Sequence, residues 1–390
     1  MNRVLSNPLK CDPLEDMLKR MAPKRVAIVV PDESRPTPVE ALLPVLLDRL
    51  YDALPDLEPS AVLVVIGGGL HPPPDSEGLK KIVPPETVAG CRVIAHDAFT
   101  SPMVDMGITR RGTPVKINKE VAEAAFKIVI GQIDPHQFVG FTGGAKGVVI
   151  GCASPESIER NHSLMFDEGA TVGRIHGNPA REDMNEAGRM AGVDVAIDVV
   201  LDADNNVVEL LAGEPTAVLE EGAKTCAAVY GMPIEDEFDI VVASCGGYPK
   251  DMCLYQAQKG LNLASHAAKH GGKILLFAAA RQGVGDDAYF DYVSRFATPQ
   301  EVLRDFKRLG FKMGAHKAFL FSRTLINYDV AVVSDLDANI LKECHLKRAD
   351  PEVVMQEWVE GFIGRPRVAV VPNANTTYFY RSDRPASLNG

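Results

Sequence analysis

The sequence predicts an α/β protein, with two α/β domains, mostly parallel sheets and a ligand cleft between the domains. Three observations predict it: short β-branched runs alternate with longer amphipathic ones, the 390-residue length suits two ordinary domains, and one polar stretch with Gly and Pro divides the pattern. The first run, RVAIVV at 25–30, is mostly apolar, as a strand buried on both faces should be. Leu42, Leu43, Leu46, Leu47 and Leu50 follow at helical spacing, and AVLVVI at 61–66 returns to the strand pattern, completing a βαβ unit. Further strands are expected in RVIAH at 92–96, KIVIGQ at 127–132 and VDVAIDVVLDA at 193–203. DNN at 204–206 followed by VVELLAG predicts a β-hairpin there instead of a crossover. A helix ends near Tyr230, and GMPIEDEF at 231–238 reads as the boundary between domains 1–235 and 236–390. The second domain repeats the rhythm: DIVVAS at 239–244, a helix from Asp251 that Gly271 and Gly272 should stop, KILLFAAA, two or three helices, DVAVVS at 329–334, a helix around Trp358 and a last strand, RVAVVP.

Composition narrows the function classes. Apolar residues make up 46% and charged residues 24%, which excludes a disordered chain. With 52 acidic against 41 basic residues and no Lys/Arg run, the chain is not built to bind nucleic acid through phosphates. The seven cysteines are scattered without a C-x-x-C pair, the usage of a reduced, cytoplasmic protein. The first 25 residues mix charge and proline without a signal-like apolar core, and no apolar run approaches the roughly 20 residues a membrane span needs. No membrane partner is expected.

In parallel sheets, ligands gather beyond the carboxyl ends of strands, so motifs directly after strands are the first candidates. In VVPDESRPTP at 29–38, Asp32, Glu33, Ser34 and Arg35 follow a strand; Arg35 suits a carboxylate or phosphate, or pairs with Asp32 on the surface. VVIGGGLHPPP at 64–74 presents His71 after three glycines. IGQIDPHQFVGFTGGAKGVVIG at 130–151 delivers His136 and then Lys146 within a glycine-rich loop. Ala145 and Gly147 flank the lysine where a phosphate-binding P-loop requires Gly and Ser/Thr, so that reading is rejected. A lysine held among glycines suits close approach of a ligand and, once desolvated, nucleophilic or covalent chemistry. Ser154 and Pro155 announce a helix that carries His162, whose neutral imidazole would suit a soft metal. His266 and His270 have zinc-helix spacing but no third ligand and are read as one solvated helix face, whereas His96 is read as core. SCGGYPKDMCLYQAQKGL at 244–261 turns from strand into helix and places Tyr255, Gln256 and Lys259 in its early turns, with Gln256 and Lys259 suited to a small anion.

Taken together, DESRPTP, GGGLH, PHQFVGFTGGAKG, the SIERNH helix, GNPAREDM at 177–184, GGYPKD with YQAQK, and AHKA at 315–318 resemble the nickel-dependent lactate racemase family over nearly the whole chain. The resemblance implies a nickel-pincer nucleotide, a pyridinium mononucleotide with thioamide and thiocarboxylic acid arms that bind nickel, made by separate cofactor-synthesising enzymes. It implies that Lys146 tethers this cofactor, that His162 is the protein's ligand to nickel, and that Asp32, Glu33, Ser34 and Arg35 contact the cofactor. It also implies that His71 and His136 are the two catalytic histidines and that Arg35, Tyr255, Gln256 and Lys259 bind a small 2-hydroxy acid. The expected activity is racemisation or epimerisation by reversible hydride transfer, with histidines of ordinary pKa near 6.5 moving the hydroxyl proton. Two other readings compete. A nicotinamide-dependent 2-hydroxy acid dehydrogenase would share the α/β rhythm, but the first strand is not followed by G-x-G-x-x-G. A non-catalytic relative that binds the cofactor or a small anion would need Lys146 and His162 but not two bases.

Overall fold

A computed structural model describes residues 1–88 and 90–382, and the chain divides into two compact units between Val229 and Tyr230. In the first unit, β1 (Val26–Pro31), β2 (Val62–Gly67), β3 (Arg92–Ala95), β4 (Phe126–Gln132), β5 (Val195–Leu201) and β6 (Val207–Gly213) form one sheet in the order β6-β5-β4-β1-β2-β3. All neighbours are parallel except β5 and β6, which form the hairpin expected from DNN. Asp202 closes that turn by accepting the N–H groups of Asp204 and Asn206, and Asn205 takes the left-handed conformation at φ 64°.

Period-two alternation assigns the two faces of the sheet. Val26, Ile28 and Val30 of β1 join Val62, Val64 and Ile66 of β2 in one core, against which α1 (Val39–Ala53) packs Leu43, Leu46 and Leu50, all 0% exposed. Val29 and Val129 point the other way, towards α2 (Lys146–Val149); a Cβ on Gly147 would meet Val129 Cγ2 at 2.5 Å. The same unit carries α3 (Pro155–Ser163), capped by Ser154 as its sequence announces, and α4 (Pro179–Ala191), capped by Asn178.

The second unit holds β7 (Phe238–Ser244), β8 (Ala268–Phe277), β9 (Asp329–Val333), β10 (Lys347–Arg348) and β11 (Val368–Val371), all parallel, in the order β10-β9-β8-β7-β11. Its helices include α5 (Leu254–Ser265), α6 (His316–Leu325) and α7 (Pro351–Glu360), the last carrying buried Trp358.

One expectation fails in this unit. The helix expected to continue to Gly271 ends at Ser265, and Lys269 and His270 already belong to β8, so His266 and His270 do not share a helix face. The physical reason is a register jump. Phe238 pairs with Ala268 but Ile240 pairs with Lys273, and Gly271, at φ +77°, and Gly272 absorb the extra residues as an irregularity in the strand. Within the polar segment after Tyr230, Gly231–Ile234 pair in parallel with Tyr378–Arg381. Among the described residues, no helix is long and apolar enough to cross a membrane.

Candidate active site

The first sheet creates a switch point. The chain lays β2 and β3 to one side of β1, then crosses back to place β4 on the other side. Three adjacent parallel strands, β4, β1 and β2, therefore deliver Asp134–His136, Asp32–Arg35 and Gly68–His71 to one edge of the sheet.

Hydrogen bonds join these loops. Asp32 Oδ2 lies 2.7 Å from His71 Nδ1, and Asp32 also accepts the Ser34 N–H at 3.1 Å and the Ser34 hydroxyl. Burial works against ionisation of Asp32, but the bonds from His71 and Ser34 outweigh it and hold the carboxyl below its ordinary range. An ionised Asp32 accepts the proton of His71 Nδ1 and so leaves Nε2 as the basic nitrogen. Gly68 permits the approach, since a Cβ there would lie 3.0 Å from Asp32 Oδ2.

Arg35 turns to the other neighbour. Its Nη1 lies 3.7 Å from Asp134 Oδ2, so the surface pair with Asp32 is replaced by a link between the β1 and β4 loops. Gln132 donates to Asp134 and accepts from Thr37 at 2.9 Å, while Thr142 donates to the Gln132 carbonyl at 2.7 Å and accepts from the Asp134 N–H at 2.8 Å. Glu33 is exposed, and no hydrogen bond or ion pair from it to these groups is seen among the described residues.

Phe138, 3% exposed, stands between two histidines: its ring is 4.7 Å from His136 and 5.1 Å from His162, edge-on in both cases. The Val139 N–H points at His136 Nδ1 at 3.4 Å, which puts the proton of the neutral ring on Nε2. Lys146 opens α2, half-buried. Desolvation, reinforced by the Lys146 ammonium, brings the pKa of His162 down to about 3. Asn161 bonds the Ala180 carbonyl at 3.1 Å and Asp183 at 2.8 Å, which ties α3 to α4 and fixes the helix that presents His162.

The donor set fits a metal-bearing cofactor. His162 is kept in the unprotonated form that a metal ligand requires, and Lys146 offers a primary amine beside it. Among the described residues, no group of three or more His, Cys, Asp or Glu is arranged to hold a metal ion. A metal at His162 would thus need further donors from a cofactor.

The second unit carries its own switch point, between β7 and β11. Tyr255, Gln256 and Lys259 lie on α5 as expected; Gln256 is exposed, while Tyr255 and Lys259 are half-buried. Tyr255 packs edge-on against Tyr289 at 6.3 Å and His316 at 6.2 Å. Lys317, 8% exposed, lies 5.0 Å from the centre of the Tyr255 ring and donates to Gln258 at 3.1 Å. Burial, then the charge of Lys259, pulls its pKa down to about 8. Lys317 was not singled out from the sequence, although a lysine inside the apolar AHKAFLF run is a legible signal.

His96 is core as expected: 1% exposed, it bonds the Ala153 carbonyl and Asn118. His176 lies beside Glu220 at 3.9 Å. Sequence reasoning gave no role to Asp134 or Phe138, nor to two buried charged residues that bond the 137–147 loop, Arg181 to the Val139 carbonyl and Asp198 to the Gly144 N–H. Asp198 had a signal, a lone acid in the otherwise apolar VAIDVVL strand.

The fold and this set of groups define an α/β protein that brings histidines, a lysine and an Arg–carboxylate pair to a sheet switch point. The chain belongs to the lactate racemase family: residues 1–173 match the lactate racemase N-terminal domain and residues 234–374 the C-terminal domain. It is 32% identical to the lactate racemase of Lactiplantibacillus plantarum over 90% of this chain and 82% of that protein. Identity to the lactate racemase of Thermoanaerobacterium thermosaccharolyticum is 29%, over 86% of this chain and 79% of the relative. The solved lactate racemase apoprotein from the latter organism superposes with a TM-score of 0.90, covering 97% of this chain and 92% of that one at 27% identity. A Thermotoga maritima protein at 17% identity, with a TM-score of 0.65 over 94% of this chain and 98% of that one, shares the fold alone.

Proposed function

We propose that the protein is a racemase or epimerase of a 2-hydroxy acid, lactate or a larger one, that works with a nickel-pincer nucleotide. The observation that carries the reading is that one unit holds His71, oriented by Asp32, and also His136 and His162 on either side of Phe138, with Lys146 beside His162. Lys146 would tether the cofactor and His162 would ligate its nickel, with Asp32, Ser34 and Arg35 at its edge. When bound, the cofactor supplies a reversible hydride acceptor.

The chain's own residues would manage the proton. His71, with its Nδ1 proton held by Asp32, would accept the substrate's hydroxyl proton at Nε2, and His136 would serve the opposite enantiomer. Two histidines are needed because the two enantiomers present their hydroxyl groups differently. The substrate carboxylate needs a cation, for which Arg35 and Lys259 are the candidates, with Tyr255 and Gln256 as further candidate contacts.

The test is protein co-produced with the cofactor-synthesising enzymes and screened against 2-hydroxy acids by loss of optical rotation. His136→Ala should lower interconversion by about 10²- to 10⁴-fold while leaving bound nickel nearly intact. Full activity in that variant would refute the assignment. Intact mass should show an adduct that Lys146→Ala loses, and nickel content should fall in His162→Ala.

A further inference from the structure

The segment from His136 to Lys146 has to hold two reacting side chains in place, yet it is poorly suited to holding any shape alone. It contains Gly140, Gly143 and Gly144, all at positive φ, and glycine gives up more backbone freedom on ordering than any other residue. Part of its order is its own, since His136 pairs with Gly140 and Thr142 bonds the Gln132 carbonyl, but much of it comes from side chains outside it. Arg181, 0% exposed in α4, donates Nε to the Val139 carbonyl at 3.2 Å, Nη1 to Gly143 at 3.4 Å and Nη2 to Phe141. Asp198, 0% exposed in β5, accepts the Gly144 N–H at 2.7 Å, and Asn178 donates to the Phe138 carbonyl at 3.0 Å.

We propose that Arg181, backed by Asp198, is a positioning residue for the chemistry: its guanidinium sets the loop that places His136 at one end and Lys146 at the other. The inference rests on the function proposed above for those two residues. Burying a guanidinium is costly unless it is hydrogen-bonded and an opposite charge lies near; three loop carbonyls supply the bonds and the Asp198 carboxyl is the nearby acid. A rigid planar fork can reach three carbonyls in different directions at once. A lysine at 181 would keep the charge but act as a single point donor.

The experiment compares wild type with Arg181→Lys, Asp198→Asn and Asp198→Ala. Protein made without cofactor is examined by hydrogen–deuterium exchange and by the acylation rate of Lys146 with an amine-reactive ester. Protein co-produced with the cofactor-synthesising enzymes is examined for the Lys146 mass adduct. Arg181→Lys should melt cooperatively and exchange normally in Val195–Leu201, yet exchange at least about tenfold faster in 137–147 and carry a several-fold smaller adduct fraction. Its Lys146 should acylate at a rate several-fold different from wild type, while a surface lysine such as Lys119 does not change. A merely structural role would lower the melting temperature without moving these readouts in the protein that remains folded.

Asp198→Asn retains an acceptor for the Gly144 N–H and should stay near wild type in loop exchange, whereas Asp198→Ala should not. Wild-type exchange and acylation in both Arg181→Lys and Asp198→Ala would overturn the proposal. Should Arg181→Lys fail to fold, the contrast between the two Asp198 variants decides it. An adduct missing from wild type would instead count against the cofactor reading, with exchange and acylation still deciding the role of Arg181.

Discussion

At the residue scale, the first link to weigh is the one between Asp32 and His71. Asp32→Asn preserves shape but removes the charge that holds the His71 proton on Nδ1. If His71 moves the hydroxyl proton, racemisation should fall by at least about tenfold, measured by optical rotation, with nickel content unchanged. A second expectation concerns acid stability. Burial, aided by the nearby Arg323 charge, lowers the pKa of His266 to about 4. The unfolded chain binds that proton near pH 6.5, so this site's stabilisation is complete above pH 6.5 and is lost as pH falls towards 4. His96, also lowered by burial, acts with the same sign. His266→Gln should flatten the fall in denaturant midpoint between pH 6.5 and 4 relative to wild type; an unchanged slope would contradict the assignment.

At the element scale, burial predicts the cost of damage. Leu46 is 0% exposed where α1 meets the sheet, and Leu46→Ala should destabilise the first unit by about 2–5 kcal/mol in urea unfolding. Much of the element pattern was legible because local signals and tertiary demands agree. The leucine spacing of α1, the Ser154–Pro155 helix start and the DNN hairpin all appear where their residues announce them. The 266–272 region was misread because two glycines signal equally a helix stop and a break in strand register, and only the partner strand decides between them. Of the candidate site, His71, His136 and Lys146 stood out because each lies just past a strand or a glycine turn, and His162 because Ser154 and Pro155 announce the helix that carries it; their roles are those proposed above. Arg35's partner was not, because Asp134 lies far away in sequence and meets it only through the order of β1 and β4. Arg181 escaped for the same reason: nothing local in a helix tells a buried guanidinium from a solvated one.

At the scale of the whole molecule, each unit has its own sheet and core, and the chain's single tryptophan, Trp358, is buried in the second. Tryptophan fluorescence therefore reports the second unit alone, while circular dichroism reports both. With Leu46→Ala, the circular dichroism transition should broaden or split as the first unit melts earlier, and the fluorescence midpoint should stay within a degree or two of wild type. A fluorescence midpoint that shifts equally would mean that the units unfold as one block.

The arrangement of β4, β1 and β2 has a further consequence, for what can be changed in the chain without harm. Neighbouring strands lie about 4.8 Å apart whatever the length of chain between them, so the sheet acts as a ruler for the loops that carry Asp134–His136, Asp32–Arg35 and Gly68–His71. The crossover segments that join these strands set none of those separations. Lineages and designers alike are thus at liberty to lengthen, shorten or replace the connections entering the opposite edge, and these side chains would keep their measure.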